Sequence, residues 1–137
     1  MADQIQFELV SPERLLLSQP VEMVVVPGVE GDFGVLPGHA PLVSTVRPGV
    51  IVVFEGSQVK QRIFVAGGFA EVTSERCTVL AEQAVPVDDI DRATVEGDIR
   101  LSREDLAGAK GDAERTRLEN RIAVAEAKLA ALDNSVY

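Results

Sequence analysis

The stretch GVIVVFEGSQVKQRIFV, residues 49–65, indicates how the first part of the chain folds. Two runs rich in β-branched and aromatic residues lie on either side of Glu55, Gly56 and Ser57. Such runs favour extended strands, and a short segment with glycine between them favours a tight turn. Residues 49–65 are therefore predicted to form a β-hairpin.

Further strand patterns lie on both sides of this hairpin. The run IQFEL (residues 5–9) alternates apolar and polar side chains, and VEMVVV (residues 21–26) is followed by a Pro-Gly pair. The run GGFAEVTSERCTVLA (residues 67–81) predicts two more strands around a polar turn. Short strands that each end in glycine, proline or serine are typical of a β-sandwich or flattened barrel. We predict this architecture for residues 1–86.

The rest of the sequence follows the period of a helix. Apolar residues at alternating spacings of four and three form one stripe: Leu118, Ile122, Ala125, Leu129 and Leu132. Asp112 is the predicted N-cap of this helix and Asn134 its predicted end.

An earlier helix is predicted to begin near Asp88, with Ile90, Ala93 and Leu101 on one side. The glycine-containing segment LAGAKGD that follows it is a predicted hinge. The predicted fold class is mainly β plus α, with an N-terminal β-sandwich followed by a C-terminal antiparallel helical hairpin in residues 87–137.

Composition and charge exclude several classes of function. The net charge of −9 over 137 residues argues against nucleic acid as a partner, because phosphates require clustered lysine and arginine. The charge suits a partner with basic loops better. One histidine and one cysteine cannot form a Cys/His zinc site, and no HExxH or GxSxG motif is present. We predict no catalytic residue, no metal site and no cofactor.

The segment GDFGVLPGHAPLV, residues 31–43, is predicted to be a loop because it is rich in glycine and proline. It contains His39, the single histidine. A structural or contact role for His39 is the stronger interpretation, and an acid–base pair with Asp32 is the weaker one. Cys77 lies in an alternating apolar run and is predicted to be a buried, unreactive thiol.

Several motifs closely resemble the epsilon subunit of bacterial and chloroplast F-type ATP synthases. The segment VPGVEGDFGVLPGHAPLVSTVRPGVI (residues 26–51) carries the most specific pattern, and FVAGGFAEV and CTVLAEQA extend it. The resemblance implies a non-catalytic rotor subunit whose sandwich packs on the gamma subunit and rests on the c-ring. It implies that the helical hairpin lies beside the stalk, extends toward the catalytic alpha/beta hexamer and restrains ATP hydrolysis.

The resemblance also implies a location and a docking surface. The subunit would be peripheral to the membrane, on the cytoplasmic face of the bacterial inner membrane. Glu30, Asp32 and His39 are then the expected c-ring contacts, since two carboxylates suit basic ring loops and prolines and glycines pre-set the loop shape. A turn with a purely structural role is the alternative.

A second reading of the resemblance is an ATP-sensing module. Some members bind ATP through an Ile/Leu-Asp-x-x-Arg-Ala motif, and Asp89, Arg92 and Ala93 match it here. Asp88 stands where an aliphatic residue is expected, and its charge would repel a polyphosphate. Arg117 and Arg121 would offset that repulsion or form a solvated face. A third reading is a β-sandwich binding protein unrelated to ATP synthase.

Overall fold

The computed structural model describes residues 3–133, which contain eight strands, one short 3-10 helix and two α-helices. The strands are β1 Ile5–Val10, β2 Leu15–Val21, β3 Met23–Gly28, β4 Gly31–Val35, β5 Leu42–Thr45, β6 Gly49–Glu55, β7 Gln58–Val72 and β8 Arg76–Pro86. The 3-10 helix is Val87–Asp89, and the α-helices are α1 Arg92–Ala107 and α2 Asp112–Asp133. The protein divides into two compact units between Asp88 and Asp89.

The strands form a β-sandwich in the order β2-β1-β8-β7-β6-β3-β4, with β5 paired to β7. The β1–β8 pair is parallel and the other pairs are antiparallel. Alternation in β1 places Ile5, Phe7 and Leu9 in the core, as the sequence predicts. The predicted sandwich is therefore confirmed.

The predicted hairpin at residues 49–65 is also confirmed. Strand β6 pairs with β7 from Gly49↔Val65 to Glu55↔Gln58, and Gly56 in the turn has a φ of 60°. Strand β7 continues beyond the hairpin through Gly67 and Gly68, whose φ values are 74° and 105°. A Cβ atom at Gly68 would lie 1.7 Å from the Leu80 carbonyl oxygen. Only glycine allows β8 to approach β7 this closely.

The loop predicted at residues 31–43 is wrong for most of its length. Residues Gly31–Val35 form β4 and pair with β3, and β5 begins at Leu42, so only residues 36–41 form the turn. Burial explains the difference, because Val35 is fully buried and Phe33 packs against the core. Tertiary packing overrides the low strand propensity of the glycines.

Strand β2 is a further element that the sequence analysis does not predict. It contains Pro20, which cannot donate a ladder hydrogen bond. The strand lies at the edge of the sheet and pairs only with β1, so this lost donor is tolerated.

The apolar stripe predicted for the second helix is confirmed in α2. Leu118, Ile122 and Ala125 are buried, and Leu129 and Leu132 are half-buried. Asp112 is the first residue of α2, so its assignment as N-cap is wrong. The Gly111 carbonyl instead accepts the first helical bond, from the Arg115 amide at 3.0 Å. Asn134 lies outside the described residues.

Helix α1 begins four residues later than predicted and buries a different face. Asp91 is its N-cap and accepts hydrogen bonds from the Ala93 amide at 3.0 Å and the Thr94 hydroxyl at 3.1 Å. The buried residues are Val95, Ile99 and Ser102. Of the predicted face, Ile90 packs against the hairpin core, whereas Ala93 and Leu101 are exposed. Val95 and Ile99 pack with Ala125 of α2, and Leu101, two positions after Ile99, lies about 200° further around the helix and faces away.

Candidate docking surface

The turn between β3 and β4 presents Glu30 to solvent. The two strands pair down to Gly28↔Gly31, which leaves Val29 and Glu30 as the two turn residues. Gly31 has a φ of 135°, a backbone conformation that favours glycine. The Val29 amide donates to the Thr45 carbonyl at 3.1 Å, which ties the turn to the end of β5. Glu30 is thus carried on a short, well-anchored turn.

Arg47 fixes the same end of the hairpin. Its guanidinium donates to Asp32 Oδ1 at 2.6 Å and to the Gly28 carbonyl at 2.5 Å. The Arg47 amide also donates to the Pro27 carbonyl at 2.9 Å. These contacts neutralise part of the Asp32 charge within the sandwich, so Glu30 is the more available carboxylate of the two.

His39 lies at the other end of β4. Its Nδ1 is 2.6 Å from the Ala40 carbonyl, which can only accept, so Nδ1 carries the proton and Nε2 is the acceptor in the neutral ring. The neighbouring Gly38 amide donates to the Ser74 carbonyl at 2.8 Å and anchors this turn to the turn between β7 and β8. The histidine is half-buried.

The structure brings Glu30 and Asp32 together and separates both from His39. The five residues of β4, about 13 Å of extended backbone, lie between the two turns. Asp32 pairs with Arg47, and His39 Nδ1 contacts the Ala40 carbonyl. The two turns instead mark the two ends of one surface.

An exposed apolar surface lies between these two turns. Val43 is 68% exposed and Phe69 is 46% exposed, and both project from the outer face of the β5–β7 pair. Val29, 57% exposed, adjoins that pair at the Glu30 turn. We call this surface, formed by Val29, Val43 and Phe69, the β5 face. Contiguous exposed apolar side chains with polar residues at the rim are typical of protein interfaces.

Phe69 is a surface residue that the sequence analysis misses. The signal for it lies in FVAGGFAEV, because alternation puts Phe69 on the same side as Glu71 and opposite to Ala70 and Val72. Ala70 and Val72 are buried, whereas Glu71 is exposed. The two-residue spacing between Phe69 and the charged Glu71 therefore identifies Phe69 as outward-facing.

The predicted nucleotide-binding residues have intramolecular partners. The Arg92 guanidinium forms an ion pair with Asp133, which joins the start of α1 to the end of α2. The hydrogen bond to Asp133, together with its charge, raises the pKa of Arg92. The Ala93 amide is bound by the N-cap Asp91, and Asp89 is exposed in the preceding turn. Arg121 lies 3.8 Å from Asp98, and Arg117 is exposed on α2.

Two further groups bear on chemistry. Within residues 3–133, no group of three or more histidine, cysteine or acidic side chains is arranged to hold a metal ion. Cys77 is fully buried, and burial raises its pKa to about 12, so the thiol is protonated at neutral pH. The prediction of a buried thiol is confirmed. In the same range, neither helix is both long and apolar enough to span a bilayer.

The chain combines an N-terminal β-sandwich, which carries the exposed β5 face, with a C-terminal helical hairpin. Residues 4–87 match the family described as ATP synthase, Delta/Epsilon chain, beta-sandwich domain. Residues 91–136 match the family of C-terminal domains of the ATP synthase epsilon subunit. The protein therefore belongs to the ATP synthase epsilon family, which confirms the resemblance and the expectation of a subunit other than the catalytic one.

Individual relatives agree with this assignment. The ATP synthase epsilon chain of Rhodospirillum centenum is 59% identical over 134 residues, covering 94% of this chain and 92% of the relative. That of Rhodospirillum rubrum is 55% identical, covering 96% and 98%. A subunit of the Euglena gracilis mitochondrial ATP synthase, solved as an OSCP/F1/c-ring assembly, matches with a TM-score of 0.80 and 28% identity, covering 94% of this chain and 81% of that subunit.

Proposed function

We propose that this epsilon chain is the rotor subunit that joins the gamma subunit to the c-ring of a proton-translocating F-type ATP synthase. The observation that carries the proposal is the β5 face, an exposed apolar surface with Glu30 at one end and His39 at the other. The similar Euglena gracilis subunit belongs to an assembly that includes F1 and a c-ring. The two Rhodospirillum relatives are bacterial, which supports a peripheral position on the cytoplasmic face of the inner membrane.

The docking chemistry follows from the two ends of the β5 face. Glu30 supplies the charge that meets a basic loop of the ring, and Asp32 keeps the turn in shape through Arg47. His39 offers a polar contact from the opposite turn. Val43 and Phe69 supply the apolar area between them, which contributes roughly 25 cal/mol per Å² when covered.

Two substitutions test this docking surface. Val43→Asp places a charge in the centre of the β5 face, and Glu30→Lys reverses the charge at its end. Both should lower the fraction of ATPase that stays membrane-bound after washing, and the Glu30→Lys effect should grow at low salt because the interaction is electrostatic. Glu13→Lys, an equal charge change in the exposed β1–β2 turn, is the control.

We propose, in addition, that the helical hairpin restrains ATP hydrolysis through the alpha/beta hexamer. Its core contains few large side chains, so the hairpin can leave one position and be captured in another. Deletion of residues 89–137 should raise ATP hydrolysis in membranes while ATP synthesis largely persists. Loss of synthesis with the truncated subunit still bound would contradict this proposal, because the hairpin would then be essential for coupling.

A further inference from the structure

A cleft in the sandwich combines positive charge with an apolar floor. It lies between β2, the start of β7 and the end of β8, and has a volume of about 600 Å³. We call it the basic cleft, defined by Arg14, Lys60 and Arg62 with Leu9, Leu16 and Ile63. It shares none of its lining residues with the β5 face.

The charge of the basic cleft is opposite to that of the sandwich around it. Residues 3–88 contain five lysines and arginines against eleven aspartates and glutamates. Three of the five cations line the cleft, and Asp88 is the one acidic residue among its lining. The other two cations lie elsewhere, where Arg47 and Arg76 pair with Asp32 and Glu8. The excess of acids therefore does not extend into the cleft.

The ion pair that Lys60 forms with Glu55 is weak. Lys60 Nζ lies 3.7 Å from Glu55, and both side chains are about half exposed. Such a pair contributes little in water and leaves the ammonium able to meet a second anion. Arg62 is half-buried and Arg14 is exposed, so the three cations stand at different depths along the rim.

The floor of the basic cleft is apolar and held in place. Leu9 and Ile63 belong to the sandwich core, and Leu16 packs against it while remaining half-buried. Gln19 Nε2 donates to Gln61 Oε1 at 2.5 Å and ties the edge strand β2 across to β7. The two walls are thus joined by a side-chain bond, and the cleft keeps its width.

We infer that the basic cleft binds a small amphiphile with one anionic headgroup, a phosphate or carboxylate, and one apolar tail. The cations are placed for the headgroup and the leucine and isoleucine floor for the tail. A volume of about 600 Å³ lies within the range of roughly 300–1,000 Å³ typical of small-molecule sites. This site lies apart from the β5 face, which is the surface of the proposed c-ring contact.

The test is a titration of the full-length, isotope-labelled protein followed by amide chemical shifts. The probe is monomeric dodecyl phosphate below its micelle concentration. Dodecyl maltoside tests the alkyl tail alone and inorganic phosphate tests the headgroup alone. Saturable shifts should appear at residues 59–63 and 15–17, and inorganic phosphate should bind at least about tenfold more weakly because it covers no apolar floor. Equal shifts with dodecyl maltoside would overturn the assignment of an anion site.

Two series of measurements separate the headgroup from the tail. Lys60→Gln with Arg62→Gln should weaken dodecyl phosphate binding about tenfold, and Arg14→Gln about threefold. Arg76→Gln with Arg100→Gln removes the same charge outside the cleft and should change affinity less than about twofold. Shortening the alkyl tail should weaken binding about fourfold per buried methylene. An unchanged affinity in the Lys60/Arg62 variant would overturn the inference.

Two further arms identify the source of the anion. Vesicles of phosphatidylglycerol and phosphatidylcholine should not sediment the protein, because the sandwich around the cleft is acidic. Binding to vesicles but not to monomeric dodecyl phosphate would overturn a small-molecule site in favour of a membrane contact. Saturable shifts of the same residues with an acidic amphipathic peptide alone would overturn it in favour of a protein partner.

Discussion

The sandwich and the helical hairpin are stabilised in different ways. The sandwich core contains many fully buried large side chains, such as Phe7, Ile51 and Phe64. The buried apolar residues of the hairpin are less completely enclosed, each being 5–9% exposed: Val95, Ile99, Leu118, Ile122, Ala125 and Ala131. The sandwich therefore encloses its core side chains fully, whereas the two helices of the hairpin leave theirs slightly exposed to solvent.

Exposed ion pairs supplement the packing of the hairpin. Three ion pairs join α1 to α2: Arg92–Asp133, Arg103–Glu126 and Arg121–Asp98. All six side chains are between 45% and 64% exposed, so water and salt screen these pairs. The comparison indicates that packing fixes the sandwich and that a weaker mixture of small contacts holds the hairpin.

The largest expected effect comes from replacing glycine by alanine, which should lower the free energy of unfolding in the sandwich and raise it in the hairpin. Gly68→Ala should cost more than about 4 kcal/mol, because the new Cβ would lie 1.7 Å from the Leu80 carbonyl oxygen at a φ of 105°. Gly97→Ala on α1 meets no atom within 4 Å and should stabilise the hairpin by about 0.5–1 kcal/mol. Urea unfolding measures the stability of both variants, and circular dichroism reports the helix content of the Gly97→Ala variant. A folded Gly68→Ala protein with wild-type stability would contradict the account of the β7–β8 approach.

A matched valine truncation should show the next largest difference. Val65→Ala in the sandwich should cost about 2–3 kcal/mol, because it removes two buried methyl groups and leaves a cavity. Val95→Ala should cost about 1 kcal/mol, because the helix gains propensity from alanine and the site lies at the margin of a small core. Amide hydrogen exchange measures local opening in each unit. Equal costs would show that the hairpin core is as complete as the sandwich core.

The pH dependence of unfolding should report on the sandwich alone. The pKa of Cys77 is about 12 when folded and near 9.0 when exposed. The unfolded thiol ionises first, so the contribution of Cys77 to stability is present below about pH 9 and falls as pH rises toward 12. Urea unfolding of the wild type and of Cys77→Ala at several pH values measures this. At high pH the wild type should lose free energy of unfolding relative to Cys77→Ala. A difference between the two proteins that stays constant with pH would contradict this prediction.

Alkylation of Cys77 gives the control for that measurement. The thiol lies in β8, and the helical hairpin contains no cysteine. Melting of the hairpin should therefore leave the alkylation rate unchanged, whereas opening of the sandwich should raise it.

The sequence predicts the parts of the fold that have a regular period. Alternation in residues 5–9, the hairpin at 49–65 and the apolar stripe of α2 all depend on local patterns, and all are present. Strands β4 and β5 are not predicted, because the glycines of β4 and the prolines before β5 have low strand propensity. Core packing of Phe33 and Val35 keeps β4 extended, and pairing with β7 keeps β5 extended. The start of α1 is missed because Asp88, Asp89 and Asp91 are all N-cap candidates by residue type, and Asp91 is the one whose side chain accepts from the first turn.

The candidate site is predictable to a similar extent. The Glu30 turn follows from the motif around it, whereas the separation of Glu30 from His39 depends on β4 being a strand. The Asp32–Arg47 and Arg92–Asp133 pairs join residues 15 and 41 positions apart, so no local sequence pattern predicts them. In both pairs the intramolecular ion pair competes with any partner for the charged side chain.

The smallest expected effect concerns the Arg92–Asp133 pair. Because the pair is exposed, Asp133→Asn should leave the free energy of unfolding nearly unchanged and should increase hydrogen exchange only at the start of α1 and the end of α2. Asp133 also competes with any phosphate for the Arg92 guanidinium. If Arg92 contacts ATP, Asp133→Asn should raise the affinity of the isolated subunit for ATP, by less than about tenfold.

Calorimetric titration with ATP measures this affinity, and Glu126→Gln, which breaks the neighbouring pair with Arg103, is the control. Equal gains in both variants would mean that the loss of one negative charge is sufficient, so Arg92 would have no particular role. If neither variant gains ATP affinity, repulsion from Asp88 and its neighbouring aspartates dominates. Asp88→Ile should then raise the ATP affinity where Asp133→Asn did not.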